Sequence, residues 1–190
     1  MKRLVVSITG ASGALYAQRF LRQAVRYYDE IYLMLSSNAA SVLKTELNRD
    51  LDAYLCDPKI QLLEKRNFYT PPASGSFRHE GMVIVPCSMG TAGRIAHGIS
   101  DDLTTRAADV CLKEGRKLIL VPREMPWNLI HLRNLTQLAE AGATILPACP
   151  AFYHEPQTIE DLVDTVVARI LQNLGVEQDL VGEWQANAGK

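Results

Sequence analysis

The run Val5-Val6-Ser7-Ile8-Thr9-Gly10-Ala11-Ser12-Gly13-Ala14 constrains this chain more than any other stretch. A β-branched apolar run stops at Gly-Ala-Ser-Gly, and a helical pattern follows through Leu15, Phe20, Leu21 and Val25. Strand, glycine turn and helix in that order leave backbone N–H groups unpaired at a helix N-terminus, where the peptide dipoles also favour an anion. The turn is therefore expected to be a phosphate cradle. A strand so near Met1 is expected to leave no room for a cleaved leader.

The spacing narrows the choice of phosphate. Gly10-x-x-Gly13 is not the G-x-G-x-x-G of dinucleotide folds, and no Lys-Ser/Thr pair follows to make a P-loop. The second apolar strand, Glu30-Ile31-Tyr32-Leu33-Met34-Leu35, ends in Ser36-Ser37, where an NAD site needs Asp or Glu for the ribose hydroxyl. Hydroxyls there suit a phosphate or a ribityl chain.

Beyond this point helices and strands alternate. Helices are expected over 38–48, 102–114, 129–141 and 159–174, the last with Leu162, Val166, Val167 and Ile170 as its core stripe. Strands are expected at Met82-Val83-Ile84-Val85, Leu118-Ile119-Leu120-Val121 and Thr144-Ile145-Leu146. Residues 49–80 read as irregular and end in Tyr69-Thr70-Pro71-Pro72-Ala73-Ser74-Gly75-Ser76; a stretch that long is functional or disordered. Short uncharged strands between helices imply an α/β protein with a parallel sheet buried on both faces. With 190 residues, one domain over 1–190 with a C-terminal tail, 175–190, is the simplest organisation.

Charge and composition exclude several classes. Twenty basic against 21 acidic side chains leave no footprint for nucleic acid or an anionic membrane surface. No apolar run approaches the roughly 18 residues of a membrane span. The four cysteines (Cys56, Cys87, Cys111, Cys149) and four histidines (His79, His97, His131, His154) show neither disulfide nor metal-ligand spacing. A soluble, cytoplasmic, metal-free protein is expected, and a hydrophobic fraction of 47% points to buried subunit interfaces.

In an open parallel sheet, ligands sit beyond the carboxyl ends of the strands. Those ends carry Gly10-Ala11-Ser12, Ser36-Ser37, Cys87-Ser88-Met89-Gly90-Thr91 and Arg123-Glu124, four polar sets that together make a small-molecule pocket. Arg106, Asp109 and Lys113, at i, i+3 and i+7, share a helix face; they hold a second anion, or Asp109 pairs the two cations. Glu124 beside Arg123, between Pro122 and Pro126, is a functional candidate or a plain surface pair. Cys87 reads as a buried structural thiol rather than a nucleophile.

An ordered set of motifs then becomes recognisable. Thr9-Gly10-Ala11-Ser12-Gly13-Ala14, Pro71-Pro72-Ala73-Ser74-Gly75-Ser76, Pro86-Cys87-Ser88-Met89-Gly90-Thr91, Arg106-Ala107-Ala108-Asp109-Val110, Leu112-Lys113-Glu114 and Val121-Pro122-Arg123-Glu124 occur in that order. Ala148-Cys149-Pro150-Ala151-Phe152-Tyr153-His154 and Val167-Ala168-Arg169-Ile170-Leu171 complete it. From residue 3 to Trp184 the chain resembles the UbiX-type flavin prenyltransferases.

The resemblance implies a three-layer Rossmann-like (flavodoxin-like) fold, an FMN ligand and a homododecamer with active sites at subunit contacts. It implies transfer of a dimethylallyl group from dimethylallyl phosphate to N5 and C6 of reduced FMN. The product then serves a UbiD-type decarboxylase. By the same resemblance, Gly10, Ala11, Ser12, Ser37, Ser88, Met89, Gly90, Thr91 and Arg123 are FMN contacts. Lys113, Arg123, Tyr153 and Arg169, with Arg106 nearby, are substrate-phosphate contacts. Glu46 and Glu124, with Ser12, handle protons, and Trp184 is part of the pocket wall. Asn38 departs from the pattern, since related sequences often carry Lys after the serine.

The residue inventory agrees with that chemistry. Loss of phosphate from an allylic carbon needs cations on the leaving group, and Lys and Arg supply them. The only adjacent acidic pair in the body of the chain, Asp101-Asp102, is followed by Leu103-Thr104-Thr105 and makes no aspartate-rich magnesium cluster. A monophosphate donor without a metal fits. A carboxyl such as Glu124 would remove the ring-closure proton and give one to the phosphate. Two alternatives stand beside this reading. An FMN-dependent cysteine decarboxylase of the same fold would carry Pro-Ala-Ser-Ala-Asn-Thr where this chain has Pro86 to Thr91. A non-catalytic FMN-binding subunit would not require Lys113, Tyr153, Arg169 and Glu124.

Overall fold

Parallel strands buried on both faces have side chains that alternate between two cores, and this sheet follows that rule closely. The computed structural model describes residues 1–182. Among them, β1 (Arg3–Ile8), β2 (Glu30–Leu35), β3 (Ile60–Leu63), β4 (Met82–Cys87), β5 (Leu118–Pro122) and β6 (Thr144–Ile145) form one sheet. Its order is β3-β2-β1-β4-β5-β6, and every pairing is parallel. The helices are α1 (Ala14–Ala24), α2 (Ala39–Leu47), α3 (Met89–Ala96), α4 (Leu103–Lys113), α5 (Leu129–Glu140) and α6 (Ile159–Leu174).

Leu4, Val6, Ile8, Leu33, Val83 and Val121 project to one side and pack with Phe20, Leu21, Leu43, Val167 and Ile170 of α1, α2 and α6. Val5, Met34, Ile84 and Leu120 project to the other and pack with Ala92, Leu103, Ala107, Cys111 and Leu138 of α3, α4 and α5. The three layers are therefore α1–α2–α6, sheet, and α3–α4–α5. This is the α/β Rossmann-like architecture that the alternating pattern implied.

Two elements were not anticipated. Within 49–80, expected to be irregular, Ile60–Leu63 pairs with β2 as the sheet edge. Without that strand the order would be the flavodoxin-type 2-1-3-4-5; with it, the order is 3-2-1-4-5-6 of the doubly wound dinucleotide folds. The second is α3, which begins immediately after β4. Its N-cap Ser88 accepts the N–H of Thr91 at 3.3 Å. The strand expected at 144–146 is shorter, and α4 starts at Leu103 because Asp102 caps it reciprocally with Thr105. Strand order reverses between β1 and β4, which opens a crevice at their carboxyl ends.

Candidate functional site

Thr9 joins the two turns that flank the crevice. Its hydroxyl donates to the Pro86 carbonyl at 2.8 Å and accepts the Ser88 N–H at 2.8 Å. The Gly10 turn after β1 and the Ser88 turn after β4 are thereby held side by side. Between them and the end of β2 lies a cavity of about 420 Å³, lined by Gly10, Ser36, Ser37, Asn38, Lys65, Ser88, Gly90, Thr91 and Arg94.

Three features of this cavity fit a phosphorylated ligand. Gly90 lies in the first turn of α3, whose N–H groups have no acceptor within the helix, and the helix dipole adds to their pull on an anion. The Ser36 hydroxyl oxygen is buried without a hydrogen-bond partner, a costly state unless a ligand completes it. A Cβ on Gly10 would stand 2.8 Å from the Asn38 Cβ, so only glycine lets the two turns approach this closely.

The glycine turn itself behaves differently from expectation. The N–H groups of Gly13 and Ala14 at the start of α1 donate to the Glu46 carboxylate at 2.9 and 2.7 Å. The expected phosphate cradle is thus occupied by a side chain of α2, and the anion-ready helix end is that of α3. Burial pushes the Glu46 carboxyl upward. The Ser12 hydroxyl, the two N–H groups and the Arg123 charge outweigh it and hold the group below the usual carboxylate range. Glu46 is therefore ionised at neutral pH. Arg123, at the end of β5, donates from Nε to the Ser12 carbonyl at 3.1 Å. Ser12, Glu46 and Arg123 form one connected group beside the crevice.

Other sequence-derived candidates fall elsewhere. Ala11 and Met89 are buried, Met89 within the α3–α4–α5 core, so neither presents its side chain to the cavity. The Glu124 carboxylate accepts the N–H of Met125 at 3.0 Å, and no ion pair joins it to Arg123 among the described residues. Arg106 pairs with Asp109 at 3.0 Å and also donates to the Ala73 carbonyl at 3.1 Å. Lys113 does not share Asp109; it pairs with Glu114 at 2.7 Å, close against the Gly75 backbone. Tyr153 and Arg169 line a second cavity of about 440 Å³ beside β6 and α6, together with Thr144, Cys149, Thr165 and Asn173. Trp184 lies outside the described residues. Cys87 is fully buried, and burial pushes its thiol up to about 12, which makes it inert.

Sequence reasoning missed Lys65 and Arg94 on the cavity wall. Ser36 and Ser37, expected together at the end of the second strand, both line the cavity; the resemblance singled out Ser37, and Ser36 has the orphaned hydroxyl. The signal for Lys65 was its place just after an unrecognised strand. Among the described residues, no group of His, Cys, Asp and Glu is arranged to hold a metal ion. No described helix is long and apolar enough to cross a membrane.

Fold and cavity define a class, and residues 1–171 match the Flavoprotein family model. The flavin prenyltransferase UbiX of Pseudomonas aeruginosa is 44% identical over 196 residues, covering 96% of this chain and 94% of the relative. The crystal structure of AnUbiX (PadA1) in complex with FMN and dimethylallyl pyrophosphate is similar at a TM-score of 0.92 and 39% identity, covering 97% of this chain and 98% of that one. A dodecameric FMN-dependent Ubix-like decarboxylase from Escherichia coli O157:H7 is similar at 0.90 and 39%, covering 97% and 100%. The chain belongs to the UbiX flavin prenyltransferase family.

Proposed function

We propose that this protein joins a dimethylallyl group from dimethylallyl phosphate to N5 and C6 of reduced FMN and passes the prenylated flavin to a UbiD-type decarboxylase. Near-full-length identity to flavin prenyltransferases carries this reading. The cavity beyond β1, β2 and β4 supports it, because its hydroxyls, the α3 N-terminus and the orphaned Ser36 oxygen suit the FMN phosphate. Reduced FMN supplies the nucleophilic atoms to which the allyl carbons bond.

This chain's residues act on the other reactant. In the transfer the allylic C–O bond breaks and the phosphate leaves with one hydrogen displaced from the flavin, while the second new bond would use the allyl double bond, whose middle carbon takes up a proton in place of the one lost from the ring. Lys113, Arg106, Arg123, Tyr153 and Arg169 are assigned to the departing phosphate, where cations and donors stabilise charge as it develops. Glu124, on the exposed turn after β5, is assigned to proton transfer. Glu46, ionised in its bonds to Gly13 and Ala14, and Ser12, bonded to it, are assigned to the same relay. No metal is assigned, since the basic side chains fill that role.

We further read the chain as one flavoprotein domain over 1–190, acting in the cytoplasm as a homododecamer. Arg106 and Lys113 lie in the α3–α4–α5 layer, whereas Arg169 lies on α6 in the opposite one. A phosphate touching both sets then needs two subunits. Met125, Leu129 and Ile130 are 84, 59 and 65% exposed, an apolar surface suited to burial between copies.

The decisive experiment incubates the protein anaerobically with reduced FMN and dimethylallyl phosphate, with the pyrophosphate in a parallel arm and no added metal. Mass spectrometry of the extracted flavin is expected to show a gain of one five-carbon unit. Unchanged flavin mass with both donors would remove the prenyltransferase reading.

A further inference from the structure

Lys65 stands two residues beyond the carboxyl end of β3, on the same sheet edge as the turns that form the cavity. Its backbone is pinned, because its carbonyl accepts the N–H of Leu103, the first residue of α4, at 2.9 Å. Its ammonium is placed as well. Nζ donates to the Ser37 hydroxyl at 3.1 Å and lies 3.9 Å from Asp102 Oδ2. Lys65 and Ser37 line the same cavity as Ser36, with its orphaned hydroxyl, and Ser88, Gly90 and Thr91.

The charges on the cavity wall are unequally balanced. Arg94 is the other cation lining the cavity among the described residues, and its NH1 is bonded to Asp101 at 2.5 Å and Asp102 at 2.9 Å. Two carboxylates neutralise that guanidinium. Asp102 is itself immobile, since its Oδ1 caps α4 by accepting the Thr105 N–H at 2.9 Å. Lys65 has only a distant share of Asp102 and a neutral hydroxyl. Its charge is the one left for an incoming anion, and Asp102 serves to aim it.

We propose that Lys65 is the specificity-determining cation of the cavity, pairing with the terminal phosphate of FMN and selecting the phosphorylated flavin over riboflavin. This rests on the FMN reading above. Arg94 and Asp102 are positioning residues that hold the ammonium against the Ser37 wall. Because β3 carries Lys65 to the cavity, the edge strand is part of the binding apparatus. A charge-assisted hydrogen bond to phosphate corresponds to a loss of roughly 10- to 100-fold in affinity when the ammonium is removed. The lower end applies here, since the Lys65 side chain is 36% exposed.

The test compares wild type, Lys65→Gln, Lys65→Arg and Ser36→Ala by fluorescence titration with FMN and with riboflavin. Thermal unfolding of each protein checks that it is folded. Lys65→Gln is expected to weaken FMN about tenfold or more and riboflavin less than twofold, so the preference for FMN narrows. Lys65→Arg is expected to restore most of it, and the salt dependence of FMN binding is expected to shrink in Lys65→Gln. Equal weakening of both flavins would make Lys65 structural and overturn the proposal. So would wild-type FMN affinity in Lys65→Gln while Ser36→Ala still loses affinity; the pocket would stand and the lysine assignment fall. A wild-type protein that binds neither flavin would remove the FMN reading, and this inference with it.

Discussion

A carboxylate at the start of α1 fills the place where a phosphate was expected, and its ionisation ties stability to pH. Glu46 lies below its ordinary value in the folded state because the Ser12 hydroxyl, the N–H groups of Ala14 and Gly13 and the Arg123 charge outweigh its desolvation. A depressed folded-state value means that Glu46 stabilises the fold fully above its unfolded value of about 4.3. That contribution is lost as pH falls through the lower, folded value. Glu46→Gln keeps the shape but removes the charge from the helix end, and at pH 7 it should destabilise by about 1 kcal/mol. Denaturant unfolding at pH 7 and near pH 3 measures this. The gap between wild type and variant should shrink at the acid end, and a constant gap would place the effect in packing. Cys87 shows the opposite kind of residue: its interior position was legible from its setting at the end of an apolar strand, and its fully buried thiol agrees.

At the scale of elements, the contact between α1 and α6 depends on one polar joint within an apolar seam. Arg19 Nε donates to Asp164 Oδ1 at 2.8 Å, and the same guanidinium pairs with Oδ2. The two side chains are only 23 and 11% exposed. Arg19→Met strands the Asp164 carboxylate and should cost about 2 kcal/mol, with Asp164→Leu added to it recovering most of the loss. Urea unfolding of the single and double variants decides this. A single variant within about 0.5 kcal/mol of wild type would leave the seam to Phe20, Leu21, Val167 and Ile170 alone. The elements legible in sequence were those with strong local signals: uncharged strands flanked by turns, and helices such as α6 with a clear stripe. β3 was not legible because it has four residues and exposes Gln61 and Leu62 as an edge strand, which erases the apolar run of a central one. α3 was hidden by Gly90 and Gly93, poor helix formers that the helix tolerates under Ser88 capping and packing of Ala92 and Ile95 on the core. Those two omissions account for the missed cavity residues, because Lys65 follows β3 and Arg94 sits on α3. The Ser12–Glu46–Arg123 group was not anticipated as such, since the resemblance joined Ser12 and Glu46 to Glu124 and gave Arg123 to the ligands: its members are 34 and 77 positions apart, and spacing has nothing to say about such contacts.

At the scale of the whole molecule, the sheet separates the groups assigned to one phosphate. Arg106 and Lys113 belong to α4, whose core residues pack on one face, while Arg169 belongs to α6 on the other. Within one chain, Arg106 is held by Asp109 and the Ala73 carbonyl, and Lys113 by Glu114. Tyr153 and Arg169 instead border the cavity beside β6. If the proposed assembly closes the site, Lys113 of one subunit meets Arg169 of another, and each inactive variant supplies what the other lacks. Lys113→Ala and Arg169→Ala proteins, each inactive alone, can be dissociated, mixed and reassembled. In a random one-to-one mixture about a quarter of the sites should regain both cations, and prenylation of FMN should return in that proportion. A site built within one chain gives a different result, because every chain in the mixture still lacks one cation. Absence of recovery in oligomers verified by mass to contain both variants would therefore place Lys113 and Arg169 in a site drawn from a single subunit and defeat the shared-site reading.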